Sequence, residues 1–244
     1  MPPERAEIAR AQMIELFPGG FEELVHADAV ELVAYTDAGG EERLWAAFGA
    51  VRTEEVAPDW DERWREFHRS VRVGSLWIGP PWEEPPADVE AVVVEPGRAF
   101  GTGGHATTRL CLELLTEIER GSLLDIGCGS GVLSIAAARL GFGPVIAVDH
   151  DSAAVDATVR NASANEVELD VRLADALVEP LPPSDVAVAN IARDAVEGLT
   201  PWLDSPTLVT SGYLEQDDPV LEGYRREDRR MTGGWAADLF RREE

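Results

Sequence analysis

The sequence contains no lysine: all 21 of its basic residues are arginine. Against them stand 46 Asp and Glu, for a formal net charge of −25. Nucleic-acid binding normally uses cations to displace counterions from phosphates, so this composition argues against direct nucleic-acid contact. The same surface steers a basic partner toward itself, although genome composition or adaptation to salt yields that charge without any partner. Cysteine is scarce too. Cys111 and Cys128 are too few for a disulfide framework and read as reduced thiols that simply pack. No apolar run approaches the roughly 18 residues of a membrane span; Ala91–Val94, Val132–Ala138 and Val186–Ala189 are typical. No charged-then-apolar leader follows Met1, so a cytoplasmic chain is expected.

What is present suffices for a sizeable core: 244 residues, 45% of them hydrophobic, enough for one large domain or a main domain with a small one. Arg5–Phe17 carries apolar residues at helical spacing, and Pro18-Gly-Gly20 ends it. Ala29–Tyr35 alternates as a strand, Asp37–Gly40 reads as a turn, Glu41–Phe48 as a short helix and Val51–Val56 as a further strand. Residues 1–56 thus form a small α+β module without a clear first strand. Trp60, Trp64 and Phe67 share one face of a linker helix. The Pro-rich stretch from Trp77 through Pro86 reads as loop. Residues 57–88 are therefore a linker.

From Val89 short apolar runs alternate with helical patterns, the signature of a parallel sheet with crossover helices. Strands are expected at Ser122–Ile126, Val145–Asp149, Leu169–Leu173, Asp185–Ile191 and Thr207–Tyr213. Helices are expected at Val132–Leu140, Ser152–Ala164 and about 194–203. Arg229–Thr232 and Trp235–Phe240, joined by Gly233-Gly234, form a terminal hairpin. The fold class is α/β, a Rossmann-like seven-stranded methyltransferase domain over 89–244.

The strongest local signal is Leu123-Leu-Asp-Ile-Gly-Cys-Gly-Ser-Gly131, between a strand and a helix. Its glycines let the backbone turn tightly and approach a ligand, and the following helix offers free N–H groups. Dinucleotide loops use G-x-G-x-x-G; here the spacing is G-x-G-x-G, and an acid, Asp125, precedes it. A ligand with a cationic amino-acid part suits that acid better than pyrophosphate does, and S-adenosylmethionine is such a ligand. Asp149 ends the next strand 22 residues after Gly127, where a carboxylate accepts bonds from ribose hydroxyls. Asp175 reads either as a partner of the adenine amino group or as a plain surface acid.

Upstream lies Glu95-Pro-Gly-Arg-Ala-Phe-Gly-Thr-Gly-Gly-His-Ala-Thr-Thr-Arg109. This segment resembles the PrmA family, methyltransferases that modify protein L11 of the large ribosomal subunit. Asp185-Val-Ala-Val-Ala-Asn-Ile191, the Trp60–Trp64 linker and Ser211-Gly-Tyr-Leu214 are also similar. Ala192 departs from the family, which has Leu after Asn-Ile, and the compact 201–207 segment leaves little room for the usual loop. The resemblance implies S-adenosylmethionine contacts at Thr108, Gly127, Asp149 and Asn190, with Phe100 over the cofactor and Gly129 shaping the loop. No metal is implied. It also implies that residues 1–56 are a reduced ferredoxin-like module that docks the ribosomal protein. A monomer is expected. His105 reads as a histidine holding the Phe100–Thr108 loop rather than as a base.

The expected reaction is methyl transfer to a lysine ε-amine or an N-terminal α-amine, with Asn190 as the catalytic residue accepting an amine N–H. Methylation of another protein or of a small molecule is the alternative. An idle binding module sits poorly with the intact glycine loop, Asp149 and Asn190, and a dinucleotide oxidoreductase sits poorly with the glycine spacing.

Overall fold

In a computed structural model, the chain divides into two compact units, Met1–Asp61 and Glu62–Glu244. The structure describes residues 69–95 and 103–243, and within the first unit 9, 12, 13, 16, 17, 22–26, 29–34, 36, 38–49 and 51–53. The Trp60–Phe67 face and Phe100 lie outside the described residues.

In the first unit, residues 9, 12, 13 and 16 are helical. Strand β1 (Glu22–His26) pairs antiparallel with β2 (Ala29–Val33), so a strand does precede Ala29. It escapes a sequence reading because Glu22-Glu-Leu-Val-His26 is too short and too acidic at its start to show alternation. Helix α1 (Ala38–Phe48) begins inside the expected turn. Gly40 leaves room there for Thr36, whose Oγ1 would stand 1.6 Å from an added Cβ. Gly49 ends the helix in the left-handed region, its N–H donating to Trp45 O at 2.9 Å.

The first described element of the second unit is a three-stranded sheet: β3 (Val71–Val73), β4 (Leu76–Gly79) and β5 (Glu90–Val93), in the order β3-β4-β5. Residues 71–79 are therefore not linker. All four residues of β4 are buried, so it lacks the alternation of a half-exposed strand, and Pro80 ends it. Helix α2 (Ala106–Glu117) follows, closed by Arg120, which donates to the carbonyls of Leu115, Thr116, Ile118 and Leu140. These contacts satisfy carbonyls that a helix end leaves open.

Then comes the main sheet: β6 (Leu123–Ile126), α3 (Val132–Arg139), β7 (Val145–Asp149), α4 (Ser152–Ala164), β8 (Asp170–Leu173), β9 (Val186–Asn190), α5 (Arg193–Gly198), β10 (Thr207–Leu214), β11 (Tyr224–Thr232) and β12 (Trp235–Arg242). Its seven strands run in the order β11-β12-β10-β9-β6-β7-β8. Pairings from β8 to β10 are parallel, and β12 is antiparallel to both neighbours. This is the expected Rossmann-like methyltransferase architecture, with the hairpin strands longer at both outer ends than read.

Successive strand residues face opposite sides. Leu123, Val186, Val188 and Val209 join a cluster with Leu115, Ile135 and Leu76. Leu124, Ile126, Ala187 and Leu208 join another with Val196 and Leu199. With both faces covered, parallel strands read as continuous apolar runs. The chain reverses direction across the sheet at β6: β7 and β8 lie to one side, β9 and β10 to the other. A ligand site in such sheets opens at the carboxyl ends of strands at this switch point. No helix among the described residues is long and apolar enough to cross a membrane.

Candidate cofactor and acceptor site

The glycine loop leaves β6 at the switch point. Gly127, Gly129 and Gly131 have φ of 72°, 55° and 81°, a region that glycine enters without steric cost. The N–H groups of Gly127 and Cys128 both donate to Val148 O, at 2.9 and 3.1 Å. A Cβ on Gly127 would stand 2.5 Å from Ile191 Cγ2, so the loop is pressed against the exit of β9. Helix α4 fixes the other side: Thr158 Oγ1 lies 3.1 Å from Gly129 O, and Asn161 Nδ2 donates to Ser130 O at 2.8 Å.

Asp149 stands at the tip of β7 as expected, 8% exposed. Its Oδ2 accepts from Gly129 N and its Oδ1 from Asp151 N, both at 3.0 Å. The carboxylate is thus oriented by backbone on each oxygen and keeps lone pairs for two further donors. Asp125 has a structural partner that its sequence reading did not include. It is buried, and its Oδ2 accepts from both the N–H and the hydroxyl of Ser134. Through that oxygen it fastens the first turn of α3. Burial pushes its carboxyl up to about 6, against the pull of the Ser134 bonds. Asp175 is exposed and caps its own turn through Leu177 N at 3.0 Å.

Across the switch point, Asn190 ends β9. Its Nδ2 lies 3.4 Å from Oγ1 of Thr108, which is fully buried in the first turn of α2. Its Oδ1 is buried and has no hydrogen-bond partner among the described residues. His105 caps α2, Nδ1 facing Thr107 N at 3.4 Å and Thr107 Oγ1 at 2.7 Å, and its ring packs edge-on against Trp235 at 4.8 Å. Burial, then Arg109, lowers its pKa and favours the neutral, capping ring. These contacts hold the start of α2; the part of the expected Phe100–Thr108 loop before residue 103 lies outside the described residues. The structure thus brings Thr108 and Asn190 together, and joins Gly127, Gly129 and Asp149 in a second group one strand away.

Both cysteines are buried and unpaired. Burial pushes the Cys128 thiol up to about 12 and that of Cys111 higher still, so neither supplies a thiolate nucleophile.

Two parts of the site carried no clear sequence signal. Asn165 clasps the open edge of β5, Oδ1 accepting from Val93 N at 2.7 Å and Nδ2 donating to Val93 O at 2.6 Å. Asn161 Oδ1 accepts from Glu95 N at 3.2 Å while its Nδ2 holds Ser130 O, so one amide spans the glycine loop and the entry to the Glu95–Arg109 segment. Their spacing at i and i+4 was visible, but asparagine on a helix usually faces water.

The donor set fits S-adenosylmethionine: an oriented carboxylate for ribose hydroxyls, a half-buried glycine loop with no side chain at Gly127 and Gly129 to bar a ligand, and an unpartnered buried acceptor one strand away. Residues 15–233 match the family described as ribosomal protein L11 methyltransferase (PrmA). The chain belongs to the PrmA family. The ribosomal protein L11 methyltransferase of Pelobacter propionicus is 42% identical over 207 residues, 75% of this chain and 67% of that one. That of Heliobacterium modesticaldum is 37% identical over 216 residues, 81% and 68% of the two chains. That of Legionella pneumophila is 40% identical over 177 residues, 67% and 60%. The match therefore spans 60 to 68% of the length of these curated relatives. The crystal structure of a ribosomal protein L11 methylase from Lactobacillus delbrueckii subsp. bulgaricus superposes with a TM-score of 0.65 at 27% identity, covering 72% of this chain and all of that one.

Proposed function

We propose that this PrmA-family chain transfers methyl groups from S-adenosylmethionine to amines of a large-subunit ribosomal protein, L11 by the names of its relatives. The acceptors are lysine ε-amines, the N-terminal α-amine, or both. The observation that carries this reading is Asn190 Oδ1, a buried acceptor without a partner among the described residues, at the switch point beside Thr108.

S-adenosylmethionine supplies a methyl group on a positively charged sulfur. The chain contributes position and charge. Asp149 binds the ribose hydroxyls, its carboxylate held ready by Gly129 and Asp151. Thr108 holds the Asn190 amide by its nitrogen end, leaving the carbonyl oxygen to accept one N–H of the incoming amine. That bond turns the nitrogen lone pair toward the methyl group. An amide does not remove the proton, so the amine enters in its neutral form, a minor species near neutrality for a lysine of pKa about 10.4. Turnover accordingly rises with pH across the neutral range.

The acidic surface favours encounter with a basic protein and repels polyanions. We read the Met1–Asp61 unit as the part that grips the ribosomal protein, and the enzyme as a cytoplasmic monomer without nucleic-acid contacts. The test is mass spectrometry of purified ribosomal protein L11 after incubation with the enzyme and S-adenosylmethionine. Increments of about 14 Da per methyl on amine-bearing peptides are expected; an unmodified protein removes this substrate. The enzyme alone is a control for lysine methylation, since it has no lysine to accept a methyl group; its own α-amine is followed in the same spectra.

A further inference from the structure

Strand β10 is interrupted where it passes the end of β9. Its register against β12 shifts between Ser211 and Tyr213, and Gly212 lies there with φ of 103°. A Cβ on Gly212 would stand 2.1 Å from Ile191 O, while Ile191 N donates to Ser211 O at 3.1 Å. The bulge is thus the bed on which the Asn190–Ile191 peptide lies. A bulge breaks the ladder locally, so something else must hold it.

Tyr213, 2% exposed, supplies the hold. Its hydroxyl lies 2.6 Å from Thr210 Oγ1 and donates to Asp238 Oδ2 at 2.9 Å, spanning the bulge from β10 to β12. Asp238 is fully buried, and a buried carboxylate is costly unless paired. Arg229 of β11 pairs with it, Nη1 to Oδ2 at 3.2 Å. The other arm of the same guanidinium donates to the carbonyls of Glu215 and Asp217, at 3.0 and 2.6 Å, in the loop that follows β10. That loop is also tied to α5, through Val220 N on Glu197 Oε1 at 3.2 Å. Both the loop and α5 follow strands whose carboxyl ends form the rim of the site.

We propose that Tyr213, Asp238 and Arg229 are positioning residues for methyl transfer: they set the Gly212 bulge, and through it the placement of Asn190, while leaving cofactor binding alone. This rests on the reading of Asn190 given above. Among the described residues Tyr213, Asp238 and Arg229 make no hydrogen bond or ion pair with Asp149 or the glycine loop; the bulge meets that loop through the Ile191 side chain beside Gly127, so acceptor chemistry is expected to respond more than cofactor affinity.

The test uses the full chain with Tyr213→Phe, Asn190→Ala and the double variant. Cofactor Kd is measured by calorimetry, and kcat and KM with ribosomal protein L11. Tyr213→Phe is expected to lower kcat about tenfold, the scale of a sub-ångström misplacement, with cofactor Kd unchanged. In the Asn190→Ala background it is expected to cause no further loss. A loss that multiplies fully in the double variant, an unchanged kcat, or a parallel loss of cofactor affinity overturns the proposal. If Asn190→Ala alone keeps its turnover, the reading of Asn190 fails, and the proposal with it. If instead Asn190→Ala loses turnover and Tyr213→Phe does not, only the positioning network fails. Asp238→Asn, of nearly the same shape, is the second variant if Tyr213→Phe does not fold, with the same outcomes expected.

Discussion

The amide of Asn190 meets the hydroxyl of Thr108 at 3.4 Å, across 82 positions of sequence. One residue ends a strand of the main sheet and the other opens a helix that precedes that sheet. Their meeting orients the amide so that its oxygen, not its nitrogen, is left for a ligand.

Asn190→Ala removes that oxygen. Turnover with an amine acceptor should fall about a hundredfold, as expected when a reacting group loses its alignment, while calorimetric affinity for S-adenosylmethionine changes much less. Equal losses in both would make Asn190 a cofactor contact only.

Asp149→Ala should do the reverse. Losing two hydrogen bonds to a charged acceptor, about 1.5–3 kcal/mol each, costs about 3 kcal/mol or more, a Kd weaker by about a hundredfold or more. The change also strips Gly129 N of its acceptor. An unaltered Kd would move the ribose site elsewhere.

Asp125 gives a dependence on pH. Its folded carboxyl is raised to about 6 from an ordinary 3.8, chiefly by burial. The folded chain therefore holds this proton more tightly than the unfolded chain. The stability so gained is full below about pH 4 and is lost as pH rises through about 6. Asp125→Asn cannot ionise, so relative to the parent it should gain on the order of 2 kcal/mol between those limits. Urea unfolding of both proteins across the range measures this; a constant difference would refute it.

Gly212→Ala sets a side chain against the Ile191 carbonyl in a backbone region that alanine enters at a cost. Strain and overpacking together should remove about 3 kcal/mol or more. Chemical denaturation would show it. A loss below about 1 kcal/mol would mean that the end of β9 yields freely.

What the sequence made legible follows how local the chemistry is. The glycine loop, the Asp149 strand tip and the Asn190 strand end are each written within nine consecutive residues, and the apolar runs around them are long enough to read. Strand β4 was hidden because burial on both faces removes its alternation. Strand β11 was read only in its last residues: Tyr224 through Met231 is mostly arginine and acid, held by ion pairs such as Arg230 with Glu117 and Arg226 with Asp218 rather than by burial. The bond of Asp125 to Ser134 could not be read, because an acid before a glycine loop has the same letters whether or not it ties a helix turn. Asp238 gave no sign at all, since its partners Tyr213 and Arg229 lie on two other strands.

The ion pairs of β11 and β12 join Arg226, Arg229, Arg230, Arg241 and Arg242 to carboxylates. A guanidinium keeps its proton throughout the range in which proteins survive. Alkaline conditions therefore have no cation among these pairs to neutralise, and the seam between the last two strands keeps its charge pattern where ammonium groups would begin to fail. For these ion pairs, acid is the direction from which titration unbuttons them, by protonating the carboxylates.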